Sequence, residues 1–359
     1  MTGATLDRYV ARQIYASVVF VLIGFLALFA FFDVVAELRD LGRGGYQLPQ
    51  LMAFVLLSTP THAYELLPIA VLIGALYALA QLAGNSEFTV MRAAGLSPGQ
   101  AGRLLLKVGV VFALLTLVIG EWVAPAGETA AEKLRMRAMS SLIAQGLGSG
   151  IWLKDENSFV NIRIARRSDK VNDVYIYELD AAYRLRSISV AREARYRGEG
   201  RWALADVART DFTPDGPRVE HLAKGEWRTA VDPGLLDLLI VRPERMSAWR
   251  LYRYIGHLHE NRQKTERYEI AMWKKLLYPL AALVMLALAL PFAYMHTRVG
   301  MLGVKVFFGI MLGVFFHMLN NLFSHIGLLQ GWPPQAVAAA PSVMFFAAAL
   351  TIMWWVERR

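Results

Sequence analysis

No cysteine occurs among the 359 residues. That absence excludes disulfides and thiolate metal sites, so any domain outside a membrane must be held by its own core. Nor does the chain contain a GxxxxGK[ST] phosphate loop, so this polypeptide does not itself hydrolyse ATP. Charge is sparse: 19% of residues are charged against 56% hydrophobic, with a mean hydropathy of +0.37. A soluble chain of this size is less apolar.

The apolar residues gather into about six runs long enough to cross the hydrocarbon layer. They lie near Ile14–Ala36, Leu51–Ala83, Ala101–Val123, Ala271–Tyr294, Met301–Leu322 and Ala336–Val356. Arg8 and Arg12 before the first run give it the look of a signal peptide. Its length and the lack of a following small-residue cleavage site make it an anchor instead.

The charge distribution orients the spans. If the N-terminus, the 84–107 and 294–305 loops and the C-terminal tail share one side, nine bases (Arg8, Arg12, Arg92, Arg103, Lys107, Arg298, Lys305, Arg358, Arg359) face three acids (Asp7, Glu87, Glu357), which accounts for +6 of the net +9. This is the positive-inside pattern, with both termini cytoplasmic. The remaining 29 bases and 26 acids nearly balance, so nucleic acid is not indicated as a partner.

Beyond the first run, Asp33–Gly45 alternates Glu37 and Asp40 with Arg39 and Arg43 before a Gly-Gly break. Long basic side chains at such a helix end reach headgroup phosphates, although local ion pairs are the plainer reading. The second run would be about 50 Å long as a helix, more than the roughly 30 Å hydrocarbon layer, so Pro60 and Pro68 are expected bend points. His62 and Glu65 between them should face protein or water, implying a polar cavity on the outer half. The third run ends in GEWVAP (Gly120–Pro125), where Trp122 is placed as an interfacial anchor. A helical stretch, Glu128–Met139, carries it outward. There Lys133 and Arg137 share a face and Arg135 lies to the other side.

Three domains follow: 1–145 with the first three spans, 146–245 outside the membrane, and 246–359 with a linker helix and the last three spans. From about Leu147 to Val241 the pattern has period two. Strands are expected at Ser158–Ile164, Val174–Leu179, Arg184–Val190 and Arg201–Val207, with turns at Asp215-Gly216-Pro217 and Asp232-Pro233-Gly234. Such a domain suggests a sandwich, barrel or jelly roll. It shows no triad spacing, and a lone His221 is more often structural than catalytic. Ser247–Arg262 reads as a capped amphipathic helix leading back to the fourth span. Its His257 and His259 point differently on a helix, which argues against a metal. In the fifth span His317, Asn321 and His325 line one face, either as packing or as the wall of a path.

One short amphipathic segment, Asn85–Leu96 (NSEFTVMRAAGL), stands between the second and third spans. Asn85 or Ser86 can cap it, Glu87 suits its first turn and Gly95 can close it. Too short to be stable alone, it needs a surface to lie against, either headgroups or a soluble partner.

This layout, together with Leu6-Asp-Arg-Tyr9, GEWVAP and SEFTVMRAAG (Ser86–Gly95), resembles the LptF/LptG family of lipopolysaccharide-export permeases over essentially the whole chain. The end of the third span is closer to the LptG branch. The resemblance implies an α-helical polytopic membrane protein with an inserted periplasmic all-β, jelly-roll-like domain, set in a Gram-negative inner membrane. It implies a permease subunit of an ABC transporter rather than an enzyme, with an LptF-like partner. An LptB-like ATPase dimer would bind the ATP, so that no cofactor sits on this chain. An LptC-like single-span protein and a periplasmic bridge would receive the lipopolysaccharide. Glu87, Phe88, Met91 and Arg92 would then couple to the ATPase. Arg39, Arg43, Lys133, Arg135 and Arg137 would meet lipid phosphates and sugars, while Leu66, Leu67, Phe316 and His317 would line the acyl-chain cavity. Asp40 and Glu132 stand where relatives carry bases, so the positive rim is expected to be differently distributed. The rival readings are a lipid-modifying enzyme using Glu121, His317 or His325, and a scaffold that recruits periplasmic proteins.

Overall fold

A computed structural model of the chain describes residues 3–43, 45–138, 151–155, 158–167, 170–180, 184–213, 216–229, 233, 243–260, 263–294 and 302–358. The first helix, α1 (Gly3–Glu37), ends in a 3-10 turn at Leu38–Asp40. After it come α2 (Leu48–Gly84), the short α3 (Glu87–Ala93) and α4 (Pro98–Val118). A π turn at Ile119–Val123 leads into α5 (Ala124–Ala138). The chain then forms strands β1 (Ile151–Asp155) to β6 (Gly216–Arg228) and a 3-10 turn at Pro243–Arg245. It closes with α6 (Ala248–Glu260), α7 (Glu266–Tyr294), α8 (Leu302–Gln330) and α9 (Pro334–Glu357). Six of these helical stretches are long and apolar enough to cross a membrane, which matches the six apolar runs.

The bundle is arranged around α2, whose apolar window is mostly buried, whereas that of α1 is mostly exposed. It packs against α1, α5, α7 and α8. Despite Pro60 and Pro68, α2 runs unbroken for 37 residues, about 55 Å. Neighbouring helices shield the freed carbonyls, and the Thr59 hydroxyl donates to the Val55 carbonyl at 2.9 Å just before Pro60. Where α1 crosses α2, Gly74 permits backbone contact: a Cβ there would lie 2.6 Å from the Val18 Cα.

The inserted domain is all-β, as its period-two pattern implied. Within the described residues its six strands form one antiparallel sheet in the order β1-β2-β3-β4-β5-β6. The four expected strands are present and longer, as β2 (Ser158–Arg167), β3 (Lys170–Leu179), β4 (Leu185–Gly198) and β5 (Arg201–Thr213). The two edge strands, β1 and β6, were not foreseen. Most of β6 is exposed; Leu222 and Trp227 reach the core, too far apart to write an apolar stripe among Arg218, Glu220, Lys224 and Glu226. Glu199 and Gly200, both with positive φ, make the two-residue turn between β4 and β5 that matches sheet twist. Asp215, Asp232 and Gly234 of the expected turns lie outside the described residues, as do Met139, Arg262, Arg298 and Arg359.

Trp202 is fully buried at the centre of the domain, 5.3 Å from the Tyr196 ring and 6.1 Å from Trp227. This core continues into the linker helix through Leu251, Tyr254 and Leu258 and reaches Ala271 on α7. The β domain is therefore packed onto the return leg of the chain.

Candidate functional site

Two groups of side chains stand at opposite ends of the bundle. At the end that the charge pattern assigns to the cytoplasm, the inner end, α3 is held from three directions. The Tyr9 hydroxyl on α1 donates to Glu87 Oε2 at 2.8 Å, and Gln13 Nε2 supports Tyr9 at 2.9 Å. Asn85 Nδ2 donates to Glu87 Oε1 at 3.2 Å. Phe88 is buried and meets the Tyr294 ring of α7 edge-on at 5.1 Å, with the Arg92 guanidinium also 5.1 Å from that ring's centroid. Met91 and Leu96 pack on the membrane core. The exposed surface is that of Thr89, Val90, Arg92 and Ala93.

The start of α3 differs from expectation. Ser86 is left-handed (φ 63°) and its side chain does not cap the helix. It turns the chain, and the fastening falls to Glu87. Gly95 closes α3 as expected, with φ 97° and its N–H on the Arg92 carbonyl at 2.9 Å. The hydrogen-bonding cap is instead at the next helix, where Ser97 and Gln100 form a capping box.

At the outer end, acids and bases interlock. Arg135 on α5 bonds Asp40 at 2.6 Å, approaches Glu37 at 3.4 Å and lies over the Phe54 ring at 5.7 Å. Arg43 pairs with Asp40 at 2.8 Å, and the buried Tyr46 hydroxyl donates to Glu37 at 3.0 Å. Burial, and then the Glu37 carboxylate, push the Tyr46 phenol above its ordinary range. Arg39, Arg43 and Arg137 face outward, while Lys133 is half-buried. Of the five bases expected to meet phosphate, Arg43 thus already has one carboxylate partner and Arg135 two.

Below this rim, His62 Nε2 lies 2.7 Å from Asp33 Oδ2 on α1. His62 is thereby matched across α1 and α2, and the backbone carbonyl of Glu65 accepts from the Tyr278 hydroxyl at 2.5 Å. Glu128, only 1% exposed, accepts from Thr61 at 3.0 Å and from the Arg245 guanidinium. Glu121 accepts the first backbone N–H groups of α6, from Ala248 at 2.8 Å and Trp249 at 3.1 Å. Sequence reading missed both tasks, because their partners are 67 to 128 residues away and leave no local pattern.

The apolar wall residues divide by burial. Leu66, Leu67 and Phe316 are packed within the chain's own helices, with Phe316 edge-on to Phe345 at 5.1 Å. His317 is exposed and hydrogen-bonds Asn321 at 3.2 Å, while His325 Nδ1 reaches the Asn321 carbonyl at 2.8 Å. The row on one face is therefore real. Adjacent Asn320 turns inward, and its carbonyl accepts from Lys274 at 3.4 Å. Exposed apolar surface runs along α1 (Phe20, Ile23, Phe31) and α8 (Phe307, Met311, Val314), which flank α2, and also along α4 and α9.

A model of the family described as "Lipopolysaccharide export system permease LptF/LptG" matches residues 8–355. The chain is similar to the LptG permease protein of Escherichia coli K12, at 33% identity over 350 residues and 97% of each chain. It is 31% identical to LptG of Haemophilus influenzae over 356 residues, 99% of this chain and 98% of that one. Similarity to LptF of E. coli K12 is lower, 27% over 258 residues and 66% of this chain against 68% of the relative.

Proposed function

The chain belongs to the LptF/LptG family of lipopolysaccharide export system permeases, and from that premise we propose how its two ends divide the work. It is a permease subunit of that export system, a transporter component and not an enzyme. Its LptG-type character and 27% identity to LptF support pairing with an LptF-like partner. An LptB-like ATPase dimer docks on the cytoplasmic side of a Gram-negative inner membrane, binding the ATP that this chain has no loop to hold. The lipid then passes to an LptC-like protein and a periplasmic bridge.

The observation that carries this reading is the three-sided fastening of α3. Glu87 and Phe88 tie it to α1 and α7, while Thr89, Val90, Arg92 and Ala93 remain outward. In this division Phe88 and Met91 are anchors, and Glu87 and Arg92 stand at the docking surface. An ATPase that moves α3 pulls on α1, a stiff rod about 52 Å long as 35 residues of helix. Displacement at the inner end therefore reaches the outer rim.

There the lipid's phosphates meet Arg39, Arg43, Lys133 and Arg137. Arg135 joins them by exchanging its carboxylates for phosphate, a change of partner between charge-assisted bonds. Acyl chains lie against the exposed faces of α1 and α8, with His317 at their polar border. Leu66, Leu67 and Phe316 set the position of those faces from beneath.

The test is co-purification of the tagged chain, unchanged or carrying Glu87→Arg, scored for an ATPase subunit and for co-eluting lipopolysaccharide. The unchanged chain is expected to bring down both, and the variant to lose the ATPase. An unchanged chain that recovers no ATPase in mild detergent would overturn the reading.

A further inference from the structure

The linker helix α6 carries a surface that lipopolysaccharide export does not explain. Its inner face, Leu251, Tyr254 and Leu258, is sealed against the β domain. The opposite arc at helical spacing holds Trp249, Tyr252, Arg253, Gly256 and Glu260, all exposed. Trp249 and Tyr252 are 63% and 62% exposed, with their rings stacked 6.0 Å apart at 24°. Two large aromatics on the outside of a charged helix need an apolar or interfacial environment.

The height of this surface is fixed. Glu121, in the π turn where the third span ends, accepts the N–H groups of Ala248 and Trp249. From the next residue, Arg250, Nη1 donates to Thr129 Oγ1 on α5 at 3.1 Å. The first turn of α6 therefore sits at the level where the third span leaves the hydrocarbon. At that same level Trp122 is 64% exposed. Trp332, partly exposed, lies in the α8–α9 connection on the same side.

We propose that α6 is a membrane-surface helix whose Trp249–Tyr252 face rests in the phosphate and ester layer of the outer leaflet. The indole N–H and phenol O–H would bond lipid oxygens there, and Arg253 would meet a headgroup phosphate. The occupant is bulk phospholipid, for two reasons. The face is continuous with the aromatic level of the spans, and its aromatic-plus-arginine composition is that of an interfacial belt. The helix thereby keeps the base of the β domain against the membrane.

Because the chain lacks cysteine, a single probe can be placed without background from it. The intact permease complex, its partners stripped of cysteine, would carry Tyr252→Cys or Trp249→Cys labelled with a fluorophore. It would be reconstituted in vesicles of phosphatidylethanolamine and phosphatidylglycerol. Val219→Cys on β6, at an exposed position, serves as the water-facing reference. Headgroup-attached nitroxide lipid should quench positions 249 and 252 several-fold more than position 219, and more than deep acyl-chain nitroxide does. Quenching equal to that at position 219 would overturn the proposal. So would quenching that appears only after the partner permease is removed, since protein would then be the covering surface.

Discussion

The Tyr9 hydroxyl and the Glu87 carboxylate, 78 residues apart, share a hydrogen bond of 2.8 Å. It joins the first turns of α1 to the first turn of α3, and Lys107 on α4 grips Asp7 of the same α1 segment at 2.9 Å. The start of α1 is thus fastened to both sides of the inner loop. The acid available to a docking protein is also the acid that holds a lever 35 residues long.

If that bond transmits motion, Tyr9→Phe should leave folding and ATPase docking intact while weakening coupling. The expected result is a several-fold fall in lipopolysaccharide released per ATP hydrolysed, measured with the reconstituted complex. Unchanged release per ATP would remove Tyr9 from the transmission path.

Arg135 offers a sharper contrast. Asp40→Asn loosens its carboxylate grip, so the variant should retain more co-eluting lipopolysaccharide than the unchanged chain. Arg135→Ala should retain less. Because the side chain is partly exposed, the stability lost with it should stay near or below about 1 kcal/mol. Quantifying lipid in the purified samples checks both signs, and equal retention in the two variants would contradict the exchange.

Glu128 and Glu121 separate structural from functional cost at the outer end. Glu128→Ala leaves the Arg245 guanidinium without its partner in a partly buried site, and should cost about 3 kcal/mol. Glu121→Ala removes a capping acceptor from α6 and should cost about 1 kcal/mol. Melting in detergent should rank them in that order.

The α1–α2 crossing and the open face of α1 give a control pair. Gly74→Ala forces a Cβ onto the Val18 backbone and should cost about 2 kcal/mol or more, read as a lower melting temperature. Gly24→Ala meets nothing within 4 Å and should be neutral or slightly stabilising, since Ala suits a helix interior better than Gly.

The spans were legible because a bilayer imposes length and apolarity on any helix that crosses it, and the six runs announce both. Strands β2 to β5 were legible because one face of each is buried. The edge strand β6 was not, since it commits only Trp227 and Leu222 to the core and most of its length is exposed. Facing direction within the bilayer was the least legible property. A helix as uniformly apolar as α2 or α8 gives little phase, so Leu67 and Phe316 could be placed on the right helices without revealing that they point inward. The α3 segment stood out by composition, yet its fastening to Tyr9 and Tyr294 depends on which ends the fold brings together. Glu121 was recognised as a boundary marker, but its partners on α6 belong to the far side of an inserted domain.

The π turn at Ile119–Val123 divides the third span into two independently phased halves. A π turn holds one residue more than the α-helical turn it replaces, and each residue advances a helix by about 100°. Adding or removing that residue would swing Lys133, Arg135 and Arg137 around the helix axis while leaving every lipid-facing residue of α4 where it stands. The direction of the charged collar can therefore be reset for a different headgroup without altering the part of the helix that the bilayer constrains.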